Sequence, residues 1–129
     1  WAWHIKPDRE KSMYEARRSL AWRTQVVPPF HGLDLILEED DAQLVKDNFD
    51  NFAKAYYTRS GEIDGVPAEL VEYLIGAVAS AGDYGDIDRE LERFSELEKA
   101  GFTDLALKIF DDPMDGLRTV CDRIVPKFT

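Results

Sequence analysis

The apolar positions of this chain fall into helical stripes broken by proline and glycine. Ala2-Trp3-His4-Ile5 is a short apolar opening that fits a strand. Pro7 and Asp8 follow; Asp8 can accept the first free N–H groups of a helix, and Glu10 suits the positive end of its dipole. Met13, Ala16 and Leu20 share one face, which predicts a helix to about Arg23, and Pro28-Pro29 stops anything helical. Leu33, Leu35, Ile36 and Leu37 fit either a strand or an ordered loop. Glu38-Glu39-Asp40-Asp41 marks the start of a second helix, where each carboxylate is favourable by about 0.3–1 kcal/mol. Leu44, Val45, Phe49, Phe52, Ala53 and Tyr56 form its stripe, which Gly61 and Asp64-Gly65 end. Pro67 suits a first helical residue, and Leu70, Val71, Leu74 and Val78 give a third helix its buried face, ending in Ala79-Ser80-Ala81-Gly82.

The last part of the chain changes rhythm. Asp86 caps a helix whose Ile87, Leu91, Phe94 and Leu97 share a face, and Gly101 sits where a C′ residue belongs. Leu105 to Phe110 is apolar nearly throughout, as in a strand covered on both faces. Asp111-Asp112-Pro113 turns the chain into a final helix marked by Met114, Leu117, Val120, Cys121 and Ile124, stopped by Pro126. Helix, glycine, short strand, turn and helix together predict an α/β fold with a parallel sheet or barrel. Parallel strands need neighbours, and the pattern supplies one clear strand with one or two more candidates. The expectation is therefore a piece of a larger α/β protein, with its other strands upstream of Trp1 or in another chain. A first residue other than Met fits the same expectation.

Composition narrows the class. Hydrophobic residues are 44% and charged residues 33%, enough for one core. No apolar run reaches the roughly 20 residues of a membrane span, and no signal-peptide pattern is present. A net charge of −10 repels phosphate backbones and acidic lipid surfaces, so neither nucleic acid nor membrane is an expected partner. One cysteine, Cys121, excludes an internal disulfide and fits a cytoplasmic setting; its place on the last helix predicts a small buried side chain.

Candidate chemistry is sparse. No phosphate-loop, zinc or nucleophile-elbow motif occurs, and no catalytic residue is assigned. His4 and Lys6 lie at the carboxyl end of the first strand, which in a barrel is the active face, so they can contact substrate or a cofactor phosphate. Gly82 and Gly85 flank a helix start whose N–H groups can face a phosphate, or form an ordinary glycine turn with an aspartate cap. His31 is a weaker candidate beside Pro29 and Phe30. The run at 38–41 reads as a helix cap and not a metal site, since consecutive carboxylates do not converge. The Phe49, Phe52, Tyr56 stripe reads as core, or as an interface if the piece stands alone.

Gly82-Asp83-Tyr84-Gly85-Asp86-Ile87, then Leu97 to Leu107, then Asp112-Pro113 and Ile124-Val125-Pro126 resemble the C-terminus of luciferase-like flavin- or F420-dependent oxidoreductases. The segment Trp3 to Arg23 is similar to that family's preceding βα unit. The likeness covers about the last 48 residues best. It departs at Asp83 and Tyr84, where the family usually carries Thr-Pro. The resemblance implies an α/β, helix-rich C-terminal fragment of a TIM-type (β/α)8 barrel over residues 1–129, with 26–65 as an inserted loop and helix. It implies a parent oxidoreductase or monooxygenase that binds FMN or F420 and acts on a small organic substrate. The isolated piece would be inactive, with the rest of the barrel as its partner or with self-association through Leu107 and Ile109. Two alternatives stand beside this: a non-catalytic, helix-rich interaction domain, and a truncated member that binds flavin without turnover.

Overall fold

A computed structural model describes residues 1–26 and 32–129. The chain divides into two compact units, one of Trp1–Met13 with Ala79–Thr129, the other of Tyr14–Val78. Helix α1 (Arg9–Val26) begins in the first and continues in the second. Asp8 starts it as expected: its Oδ1 accepts from the N–H groups of Glu10 and Lys11 at 3.0 and 3.2 Å.

The first unit holds three short parallel strands, β1 (Ala2–Trp3), β2 (Ala79–Ser80) and β3 (Lys108–Ile109), in the order β2-β1-β3. Ala2 sits opposite Ala79 and Lys108, and Trp3 opposite Ser80 and Ile109. Pairing of β1 with the β2 side continues through His4 N–H to Ser80 O at 2.7 Å and Lys6 N–H to Gly82 O at 3.2 Å. Helix α5 (Ile87–Lys99) joins β2 to β3, and α6 (Pro113–Thr119) follows β3, widening into a π turn at Val120–Ile124. Trp3, Ile5, Ile87, Phe94 and Ile124 form the core here, with Leu91, Leu97, Leu107, Ile109 and Val120 packed at its margin. The Trp3 and Phe94 rings lie 6.4 Å apart.

Three expectations change. Ala79-Ser80 is not the end of a helix but β2, buried on both sides. The 105–110 strand is only two residues long, and 101–106 is exposed, so it is not covered on both faces. The strand order also differs from a barrel, where consecutive parallel strands are neighbours; here β2 and β3 flank β1, as in a doubly wound sheet. The architecture is helix-rich α/β with a three-stranded parallel sheet. The last helix departs in detail too. Val120 and Ile124 face the core, while Met114, Leu117 and Cys121 are exposed, so Cys121 is not the buried side chain expected.

The second unit is helical among its described residues: a 3-10 turn (Leu33–Leu35), α2 (Glu39–Asp47), α3 (Phe49–Thr58) and α4 (Ala68–Val78). The single helix expected after the acidic run is two, broken at Asn48. The Asn48 side chain donates to Leu44 O at 2.9 Å and so competes with the helical ladder. Val45, Phe52, Ala55, Val71, Leu74 and Ile75 are buried in this unit, while Tyr56 is partly exposed at the margin of the stripe. Arg59, in the left-handed region at φ 54°, ends α3 before Gly61. No described helix is long and apolar enough to cross a membrane.

Candidate functional site

In parallel α/β sheets the carboxyl ends of the strands are where side chains, helix starts and loops converge. Here those ends gather four of the five residues singled out in the sequence. Continued pairing sets Lys6 beside Gly82, and His4 beside Ser80. Gly85 lies one turn on, in the 3-10 turn Tyr84–Asp86 that leads into α5. His31 lies outside the described residues.

His4 is not a strand-end group open to ligand. It is buried, and its ring stacks on Phe110 with centroids 4.6 Å apart. The alternation of a strand explains this: Lys6 and His4 share a face, but only the longer lysine reaches past the end of the sheet. Lys6 is half-buried, and its Nζ donates to Asp111 O at 2.7 Å, tying the end of β1 to the turn after β3.

The glycine turn does not offer its N–H groups to an anion. Gly82, at φ 130°, donates to Ser12 Oγ at 2.8 Å. Asp83 N–H donates to Asp86 Oδ2 at 2.9 Å, and Gly85 N–H to Asp83 Oδ1 at 2.7 Å, a reciprocal capping box. Arg9 and Arg89 hold the Asp86 carboxylate at 2.7 and 3.0 Å. Two carboxylates therefore occupy the seat that a phosphate would take. The two acidic residues were visible in the sequence; that both turn inward to close the box was not.

A crevice of about 170 Å³ opens at the carboxyl ends of β1 and β3. Ile5 lines its apolar side, with Lys6 and Lys11 as its cations. Asp8, Asp112 and Asp115 also line it, so carboxylates outnumber ammonium groups by three to two. Tyr84 Oη and Thr119 Oγ1, 3.3 Å apart, supply paired hydroxyls. Asp112 holds the left-handed conformation at φ 55° and makes no side-chain cap to α6. A strained residue at a strand end is a usual companion of binding sites. The crevice is smaller than the roughly 300–1,000 Å³ of pockets that enclose a whole drug-sized ligand.

A buried polar group missed by sequence reasoning lies behind β2. Glu90 is fully buried. Its Oε2 accepts from Ser80 Oγ at 2.6 Å and Arg93 Nη1 at 3.2 Å, and its Oε1 from Arg89 Nε at 3.0 Å. Ser80 Oγ in turn accepts from Trp1 Nε1 at 2.8 Å. In a run as charged as 88–93 no sequence signal separates this glutamate from its exposed neighbours. The network fastens α5 to β2 and leaves no open position for a ligand. Among the described residues no three His, Cys, Asp or Glu side chains converge as a metal site.

No family model, curated protein or solved structure matches the chain.

Proposed function

We propose that the chain is the C-terminal portion of a flavin- or F420-dependent oxidoreductase of the luciferase-like group, and that its crevice forms part of the wall around a small organic substrate. The carrying observation is the convergence of Lys6, the Gly82–Asp86 turn and the crevice at the carboxyl ends of parallel strands. Ligands sit at that end in both barrels and doubly wound sheets, so the proposal holds for either form of the sheet. The barrel enters through the sequence resemblance; the strand order favours the doubly wound form.

The fit to the cofactor itself is poor. The N–H groups of Gly82, Asp83, Gly85 and Asp86 are taken, and the crevice lining carries no net positive charge for a phosphate. The proposal therefore places the FMN or F420 phosphate on other parts of the protein and assigns no catalytic step to these residues. Titration of FMN and F420 against the full-length protein, followed by fluorescence, tests the reading. Saturable binding of one of them is expected, and turnover with reduced cofactor separates an enzyme from a binder without turnover. A cooperatively folded protein that binds neither refutes it. A non-catalytic interaction domain is the second reading, favoured by the exposed apolar side chains beside β3.

A further inference from the structure

The far edge of β3 carries a second, independent feature. Among the described residues no strand pairs with it. The Trp1 amino group donates to Ala106 O, and Lys108 N–H donates to Trp1 O, both at 2.8 Å. Residues 106 and 108 thus point their backbone groups at β1. Alternation turns those of Leu105, Leu107 and Ile109 to the open side. Residues 102–107 form no helix, turn or strand, so this stretch is available to extend. Beside it runs an apolar groove of about 290 Å³ whose lining includes Leu105, Leu107, Val120, Ile124, Val125 and Phe128. Phe102 is 61% exposed and Leu105 41% exposed at its mouth.

The geometry points to a second copy of this chain as the occupant, its 103–109 segment pairing antiparallel with the same segment about a two-fold axis at Ala106. Outward-facing residues must meet outward-facing residues, and the axis at Ala106 satisfies this, with Leu105 opposite Leu107 of the second copy and Leu107 opposite its Leu105. Leu105 of each copy then covers the groove mouth of the other. The same register sets Lys108 opposite Asp104 of the second copy, twice by symmetry. Both side chains are exposed in the single chain. Opposite charges directly across an antiparallel pair attract, and like charges repel. A register centred on Lys108 would instead oppose two lysines across the axis. Small Ala106 lies on the axis, where a non-hydrogen-bonded pair brings the two backbones closest. The pairing closes an edge otherwise open to indiscriminate strand addition.

Sedimentation equilibrium across a concentration series, with hydrogen exchange at the same concentrations, tests this. A reversible dimer is expected, with exchange at the Leu105 and Leu107 amides slowing as concentration rises while the inward Lys108 amide stays constant. Asp104→Lys and Lys108→Asp should each weaken the dimer about tenfold, and the double exchange should restore it to within about threefold of the parent. A chain that stays monomeric through millimolar concentration overturns the proposal. So does a dimer in which the double exchange is weaker than either single change, or one whose exchange protection lies elsewhere. Melting curves of the variants confirm that each is folded, and the parent's exchange pattern decides the matter without any variant.

Discussion

Glu90→Ala tests the buried network behind β2 most directly. The change removes a fully buried carboxylate together with its bonds to Ser80, Arg89 and Arg93. Removing one partner of a buried ion pair costs about 3–5 kcal/mol, and leaving a buried hydroxyl short of an acceptor about 1–3 kcal/mol. Two features reduce the sum. Arg89 and Arg93 are 50% and 30% exposed, so water can reach them. They also keep bonds to Ala81 O and Ala79 O, and Ser80 keeps its bond from Trp1. The expected loss is about 3 kcal/mol, a large share of the roughly 5–15 kcal/mol that holds a domain folded. Urea unfolding followed by tryptophan fluorescence measures it, since Trp1 and Trp3 lie at this core. With a slope near 1.5 kcal/mol per molar, the midpoint should fall by about 2 M. Glu92→Ala, on the exposed side of α5, is the control and should stay within about 0.5 kcal/mol. If the two variants unfold alike, Glu90 is not holding α5 to β2.

Gly82→Ala should cost about 2 kcal/mol or more and lower the melting temperature by roughly 8 °C. At φ 130° a Cβ there would meet Asp86 Oδ2 at 1.9 Å, inside the capping box; an unchanged melt would discredit the turn's geometry. Exposed Lys99 has its pKa raised from 10.5, first by its hydrogen bond from Nζ to Glu96 and then by that carboxylate's charge. A raised folded pKa means that the pair's contribution is present below 10.5 and is lost as pH rises through the raised value. Glu96→Gln should bring the Lys99 titration, followed by NMR, back toward 10.5; a curve that does not move would refute the assignment.

The helix starts were legible because their signals are local. Asp8 before α1 and Pro67 before α4 act within a turn of their own position, and Gly101, at φ 97°, ends α5 where the sequence placed it. The acidic run at 38–41 likewise opens α2. The strands were harder. Ala79-Ser80 has neither bulk nor branching, and becomes β2 because β1 pairs with it from across the sequence. Leu105 to Phe110 misled in the opposite sense: its apolar residues fit a buried strand, but no described neighbour covers the outer edge. At the site, the position of Lys6 followed from the strand end, whereas His4 is taken up by Phe110, which belongs to a distant strand end. The turn at Gly82 was read correctly as a helix start; which groups fill it depended on rotamers of Asp83 and Asp86.

The order of the sheet also has a consequence in time. The middle strand is made before both of its neighbours: Trp1 finds its partner Ala106, just ahead of β3, at a separation of 105 positions. At the roughly 5–20 residues per second of synthesis, Trp1 and Trp3 wait about 5–20 s for the strands that will cover them. Through that interval the two large indoles lack the neighbours β2 and β3 that this sheet gives them. The first unit is thus completed only after β3 has been made, and Tyr14–Val78 is a stretch with the chance to form in the interval.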